Sequence, residues 1–279
     1  NYYNTNYYKP EYVNENFDCF VIPLSDAFRE NFVNELNELT SFVKKLKIPC
    51  YVIGVGLKES YEPDFSQPKP QDEAVKKFVT AVLEKSNCIG VRGELTGKYL
   101  ETLGFAEGRD FMVIGCPSMY MKGKRLHIQN PKLDVNSKVC FNSNVAASVP
   151  TRKFIKLKMK EFENHYFIGQ VVNELRSIYL GAPYEYKIEY NFRNVTDKIY
   201  QDGRLRFFCN VPKWMEFLND SDLTFGSRLH GNIAAVLAGT PALLVTKDSR
   251  TRELAEYHHL NAIHESKLNE KLTLQDLVE

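Results

Sequence analysis

No run in this chain is apolar for the ~20 residues a bilayer-spanning helix needs, so no transmembrane segment is expected. Neither sign of charge dominates: Lys+Arg number 36 against 35 Asp+Glu, a net of +1. That balance excludes a generally basic nucleic-acid binder. There is no CxxC pair and no His/Asp/Glu set at ligand spacing, so no metal site is expected. The cysteines at 19, 50, 88, 116, 140 and 209 are not closely paired, and most lie in or beside apolar strands. That is the habit of small buried hydrophobes in a reducing cytosol, and a cytoplasmic location is expected. The opening NYYNTNYYKPEY lacks the pattern of a signal peptide, and without an initiator Met the native start is expected to lie upstream.

What is present is ordinary for a soluble globular protein: 43% hydrophobic and 25% charged residues. The 279 residues suffice for two domains of about 100–150 residues each. Aromatics reach 13%, including 16 Tyr, which suits sugar-binding surfaces as well as plain packing.

Phe17–Pro23 and Cys50–Val55 are continuous apolar runs, as strands buried on both faces of a parallel sheet require. Between them Phe32, Leu36, Leu39, Phe42, Val43 and Leu46 recur at helical spacing. After the proline-rich loop Ser60–Gln71 come a helix through Val75–Leu83, strand Cys88–Val91, helix Glu94–Leu103 and strand Phe111–Ile114. This β/α alternation predicts a doubly wound sheet. The polar, aperiodic stretch Met121–Asn136 predicts a boundary, giving domains 1–130 and 131–279. The second half repeats the pattern with strands Lys138–Phe141, Tyr166–Gly169 and Leu205–Phe208 and helix Val171–Leu180. The expected fold class is α/β: two Rossmann-like domains facing a cleft, the GT-B-like architecture.

Ser221–His258 carries the densest chemistry. Leu223–Phe225 reads as a strand, Ser227 as the cap of the next helix, and Gly239 as its stop before Thr240-Pro241 opens another strand. Ser227, Arg228 and His230 thus fall at the mouth of a helix at the carboxyl end of a strand, where N–H groups and the helix dipole favour an anion. Arg228 adds a forked cation and His230 a group that carries a proton near neutral pH. Ser86–Arg92 echoes Ser221–Arg228: a polar residue, a short apolar strand, then an arginine at the next helix. If the two sheets face one another, Arg92 and Arg228 could approach one cleft from opposite walls.

These residues resemble the polysaccharide pyruvyl transferase family. The resemblance rests on Gly226–Gly231, Ala238–Pro241 and Asp248–Arg250, and earlier on Val52–Gly56, Val91–Thr96 and Ile114–Ser118. A glycine run seen in many relatives reads Pro23-Leu24-Ser25-Asp26-Ala27-Phe28 here. The resemblance implies transfer of pyruvate from phosphoenolpyruvate onto two hydroxyls of one sugar in a polysaccharide or its lipid-linked precursor, with phosphate released and no cofactor. It implies the phosphoenolpyruvate side in the second domain and the acceptor side in the first. His230 becomes the general acid, with Arg228 and Arg92 holding the carboxylate and phosphate. Ser227, Gly231, Lys247, Arg250 and Gln170 are further substrate-binding candidates.

Plainer readings stand beside these. Arg228 would serve equally to fasten two loops by pairing with a carboxylate. Arg92 would suit a surface pair with Glu94 or Glu101, and Lys247 and Arg250 would suit solvation. Gln170 and Glu174 could meet sugar hydroxyls or merely solvate a helix start. The basic run Arg152–Lys160 fits a solvated helix face, or peripheral contact with the inner face of a membrane. As whole-protein alternatives, a nucleotide-sugar glycosyltransferase or sugar-nucleotide epimerase of GT-B architecture, and a non-catalytic sugar-binding protein, remain open.

Overall fold

The structure is a computed structural model that describes residues 9–123, 126–144, 146–183, 192 and 194–278. Most of the opening stretch read above for targeting, residues 1–8, lies outside the described residues. The elements begin with helix α1 (Pro10–Asn16), strand β1 (Phe20–Pro23), α2 (Val33–Lys44), β2 (Cys50–Val55), α3 (Asp72–Leu83), β3 (Ile89–Val91), α4 (Glu94–Thr102) and β4 (Phe111–Val113). There follow β5 (Val139–Asn142), α5 (Val149–Met159), β6 (His165–Gly169), α6 (Val172–Leu180), α7 (Lys198–Gln201), β7 (Leu205–Phe207) and α8 (Val211–Asn219). The chain closes with β8 (Leu223–Gly226), α9 (Leu229–Ala238), β9 (Ala242–Thr246), α10 (Ser249–Tyr257), β10 (Ala262–His264) and α11 (Leu274–Val278).

Two compact units result. The first comprises 1–117 together with Lys247–His259, the second 118–246 and 260–279. Sequence order drew a single boundary at 130/131; here the segment carrying Lys247 and Arg250 packs within the first unit.

In the first unit the strands run parallel in the order β1-β2-β3-β4. Each crossover steps in the same direction, and right-handed crossovers then stack α2, α3 and α4 on one face. Leu36, Leu39, Phe78, Val82 and Leu100 accordingly form one core with Ile22, Val52, Ile89 and Phe111. On the opposite face Val21, Tyr51 and Met112 are 46%, 43% and 52% exposed. The doubly wound expectation is therefore corrected for this unit: among the described residues its strand order does not reverse, so the sheet they form is singly wound.

The second unit has the order β10-β9-β8-β5-β6-β7, all parallel. Here the order reverses between β5 and β8, helices cover both faces, and every residue of β5, β8 and β9 is buried. One face packs Phe141, Phe154 and Phe225, with ring centroids 5.8 and 6.2 Å from Phe225. Such aromatic pairs add about 0.5–1.5 kcal/mol beyond the area they bury. The other face packs Cys140, Ile168, Ala235 and Leu218. Gly239 ends α9 in the left-handed region, φ 89, as a helix stop requires.

Among the described residues no helix is long and apolar enough to cross a membrane. The basic run at Arg152–Lys160 is not uniformly solvated: Arg152 and Lys158 are buried, Lys158 pairing with Glu161 at 2.6 Å, while Lys153, Lys156 and Lys160 are exposed.

Within the first unit the end of α10 is pinned beside β4. His258 Nε2 accepts the Cys116 N–H at 2.7 Å and Tyr257 Oη donates to Val113 O at 3.1 Å. Gly115 has φ 71, and a Cβ there would fall on the His258 ring. Gly115→Ala is expected to destabilise the protein by at least about 1–3 kcal/mol, read as a lowered unfolding midpoint in urea.

Candidate functional site

The reversal between β5 and β8 in the second unit creates the crevice where ligands of doubly wound sheets bind. Three strands end there, β5 at Asn142, β6 at Gly169 and β8 at Gly226, and α9 starts there. Ser227 does not cap α9, contrary to the sequence expectation. The capping position falls to Arg228, whose backbone is extended and whose side chain makes no cap bond. Ser227 Oγ instead accepts the Asn144 N–H at 3.0 Å, tying the loop after β5 to the loop after β8.

Arg228 is held on several sides. Its N–H donates to Asn142 Oδ1 at 2.8 Å, its Nε to Ser143 O at 2.6 Å, and its Nη2 to Glu174 Oε1 at 2.8 Å. Glu174 is wholly buried. Its other oxygen accepts the Val171 N–H at 3.0 Å and the Gln170 N–H, closing the N-terminus of α6. Glu174 is thus a buried brace, where the sequence suggested a solvated helix start or a sugar contact. Arg228 has the carboxylate partner that its plainer reading foresaw.

Gly231 lies against the amides of Gln170 and Asn142: a Cβ there would stand 2.5 Å from Gln170 Nε2 and 3.1 Å from Asn142 Nδ2. Gln170 Nε2 is buried without an acceptor. His230, on the first turn of α9, is exposed. A first helical turn presents N–H groups without intrahelical partners and the positive end of the macrodipole. An anion seated there would have a guanidinium and an imidazole beside it.

Arg92, Lys247 and Arg250 belong to the first unit. Arg92 is only 4% exposed, so the surface pair with Glu94 or Glu101 is not its environment. Its Nε donates to Gly54 O at 2.6 Å while Nη1 is buried without an acceptor. Burial lowers its pKa, and neighbouring Arg250 lowers it further. Arg250 is not solvated either: Nη2 lies 3.7 Å from Asp248 Oδ2, and Nε is buried without an acceptor. Lys247 is half-buried, and its N–H donates to Thr251 Oγ1 at 3.1 Å. Beside Arg92, Glu253 accepts from Thr96 N and Oγ1 at 2.9 Å, filling the N-terminus of α4. Burial pushes the Glu253 carboxyl up to about 7, against the Thr96 hydrogen bonds and the Arg92 charge, which favour the anion. In sequence Glu253 stands out only as an acidic residue that could grip ribose hydroxyls; its place at α4 was not legible, because its partner lies 157 residues away.

The family model of polysaccharide pyruvyl transferase matches residues 1–249. The chain belongs to the polysaccharide pyruvyl transferase family. The match takes in Arg92, Gln170, the Ser227–Gly231 turn and Lys247, and ends immediately before Arg250. No curated protein matches the chain. Among solved structures, a protein from Listeria monocytogenes described as a UDP-N-acetylglucosamine 2-epimerase is 12% identical, with TM-score 0.51, covering 96% of this chain and 65% of that one. An S. aureus MnaA–UDP co-structure is 13% identical at TM-score 0.45, covering 96% and 66%. The chain spans just under two thirds of the length of both. At this identity the first likeness shows the fold alone, the α/β class with two Rossmann-like units, now found in a pyruvyl transferase family member.

Removing one partner of a buried ion pair costs about 3–5 kcal/mol. Glu174→Ala is expected to lower stability on that scale in urea unfolding, since it strips Arg228 and the α6 N-terminus together. Glu253 gives a pH signature. Its folded pKa, about 7, exceeds the ordinary 4.5, so the folded protein holds this proton more tightly than the unfolded chain does. The corresponding stability is present below the unfolded pKa and is lost as pH rises through about 7. Glu253→Gln should flatten that slope, measured as the change in unfolding free energy between about pH 4 and about pH 8.

Proposed function

We propose that this chain is a ketal-forming pyruvyl transferase. Phosphoenolpyruvate is the donor substrate and two hydroxyls of one sugar, in a polysaccharide or its lipid-linked precursor, are the acceptor. C3 of the enol takes a proton, which makes C2 electrophilic. One hydroxyl adds to C2, phosphate departs, and the second hydroxyl closes the ring. Of the two hydroxyl protons displaced, the balance leaves one on the new methyl group and one on phosphate.

The observation that carries this reading is the exposed imidazole of His230 on the first turn of α9, at the reversal of a doubly wound sheet, in a member of this family. His230 is the acid that protonates C3, a role in which a positioned imidazole typically contributes ~10²–10⁴-fold. Arg228, oriented by Glu174 and Ser143, supplies positive charge beside it. Ser227 and Gly231 frame the turn, and Gln170 offers a buried amide donor. In the first unit Arg92, Lys247 and Arg250 are the ligands for an anionic group of the substrate. No cofactor or metal enters the chemistry. The reading goes with a cytoplasmic location, including the inner face of the membrane.

His230→Ala is expected to lower phosphoenolpyruvate-dependent phosphate release by at least ~10²-fold. Its unfolding midpoint should stay close to wild type, because the residue is exposed. Retained turnover in the folded variant would remove His230 from the chemistry. Thermal shift with phosphoenolpyruvate and with UDP separates the donor classes: a response to UDP alone would point to a nucleotide-sugar enzyme.

A further inference from the structure

The loop after β1 bends round β2: Gly56 N donates to Ser25 O at 2.6 Å and Phe28 N to Gly56 O at 3.2 Å. Gly56 needs its missing side chain, since a Cβ there would meet Arg92 Cδ at 3.0 Å. This stacking brings Asp26, on the β1 loop, into the neighbourhood of Arg92. Asp26 Oδ2 accepts from Arg29 Nη1 at 2.6 Å and lies 3.7 Å from Lys58 Nζ, while Oδ1 accepts from Ser25 Oγ at 2.9 Å. Arg92 and Arg250 both interact electrostatically with Asp26 and with each other. Burial works to raise the Asp26 pKa, but its cationic and hydrogen-bonding neighbours outweigh it and hold the carboxyl below its usual range.

Arg29, Arg92 and Arg250 thus share the neighbourhood of Asp26, and their donors are not used up. Arg29 Nε, Arg92 Nη1 and Arg250 Nε are each buried without an acceptor. A buried cationic donor left unmade costs more than a neutral one, and like charges gathered without a counter-ion repel. The Asp26 side chain is 19% exposed, so this face of the cluster is open to solvent.

We infer that Asp26 is a displaceable counter-ion. It holds the Arg29, Arg92 and Arg250 guanidiniums together while the site is empty and yields them to a phosphate-bearing dianion, with Arg29 a further ligand. The inference rests on the reading of Arg92 and Arg250 as ligands of an anionic substrate. A dianion with three or four oxygens meets the unused donors and supplies more charge than the carboxylate it replaces. Asp26 is therefore a positioning residue: it preorganises the cations and sets how strongly an incoming anion must bind to take them.

The test is binding of orthophosphate and of phosphoenolpyruvate to the full chain by calorimetry at low salt. Asp26→Asn keeps the shape, removes the competing charge and is expected to tighten both by about tenfold, about 1.4 kcal/mol. Arg29→Gln is expected to weaken both by about tenfold. A folded Asp26→Asn protein whose affinity is unchanged or lower overturns the inference. Should Asp26→Asn fail to fold, Arg29→Gln decides, and unchanged phosphate affinity there overturns it equally. The two readings fail separately: phosphate binding that responds as described, with no phosphate release from phosphoenolpyruvate in any sugar mixture, sinks the transferase and leaves this site standing. Turnover that Asp26→Asn and Arg29→Gln leave untouched does the reverse.

Discussion

A buried carboxylate at a helix N-terminus, with an arginine beside it, is the arrangement on which both candidate sites depend. Glu174 closes α6 and grips Arg228; Glu253 closes α4 and lies within electrostatic reach of Arg92. A helix N-terminus without a partner leaves N–H groups unsatisfied, and an arginine taken out of water without a counter-charge costs several kcal/mol. At Glu174 one carboxylate answers both demands, so the Arg228 guanidinium is fixed by the same group that closes α6. The two carboxylates differ in where they come from. Glu174 caps its own helix, whereas Glu253 reaches α4 from α10.

Topology decides what each unit can offer. The second sheet reverses its strand order, and the reversal opens a crevice floored by strand ends, into which α9 points its first turn. Among the described residues the first sheet does not reverse. Its arginine cluster is built by the loop after β1, by Arg92 after β3, and by α10, which joins that unit from the far end of the chain. Both assemblies gather cations at strand ends, but one uses a sheet's own crevice and the other a borrowed helix.

Much of this was legible from residues alone. The apolar runs announced nearly every strand to within a few residues, though the first begins only at Phe20 where Phe17 was expected. Gly239 announced the end of α9, because only a residue tolerant of positive φ stops a helix that way. The mouth of α9 was singled out by the chemistry of its Ser, Arg and His, although Ser227 and Arg228 also have structural partners in Asn144 and Glu174. What escaped was everything decided by distant partners. Glu174 looks the same in sequence whether it caps a buried helix or faces water, since local spacing does not carry burial. Ser227 looked like a cap because it precedes a helix; the Asn144 N–H, 83 residues away, claims its hydroxyl instead. The winding of the first sheet escaped because β/α alternation fixes handedness but not the direction of each step.

The helix ends differ in how the chain answers them. Ser148 caps α5, Asn210 caps α8, Asp248 caps α10, and Glu174 and Glu253 fill α6 and α4. Each of these positive ends is already answered by an oxygen of the chain. At α9 the capping residue is an arginine whose side chain makes no cap bond, and its own N–H is taken by Asn142 Oδ1 at 2.8 Å. An arginine there adds positive charge to the positive end of a dipole, an unfavourable arrangement for the protein alone. Glu174 offsets part of that cost, and a bound anion would offset more.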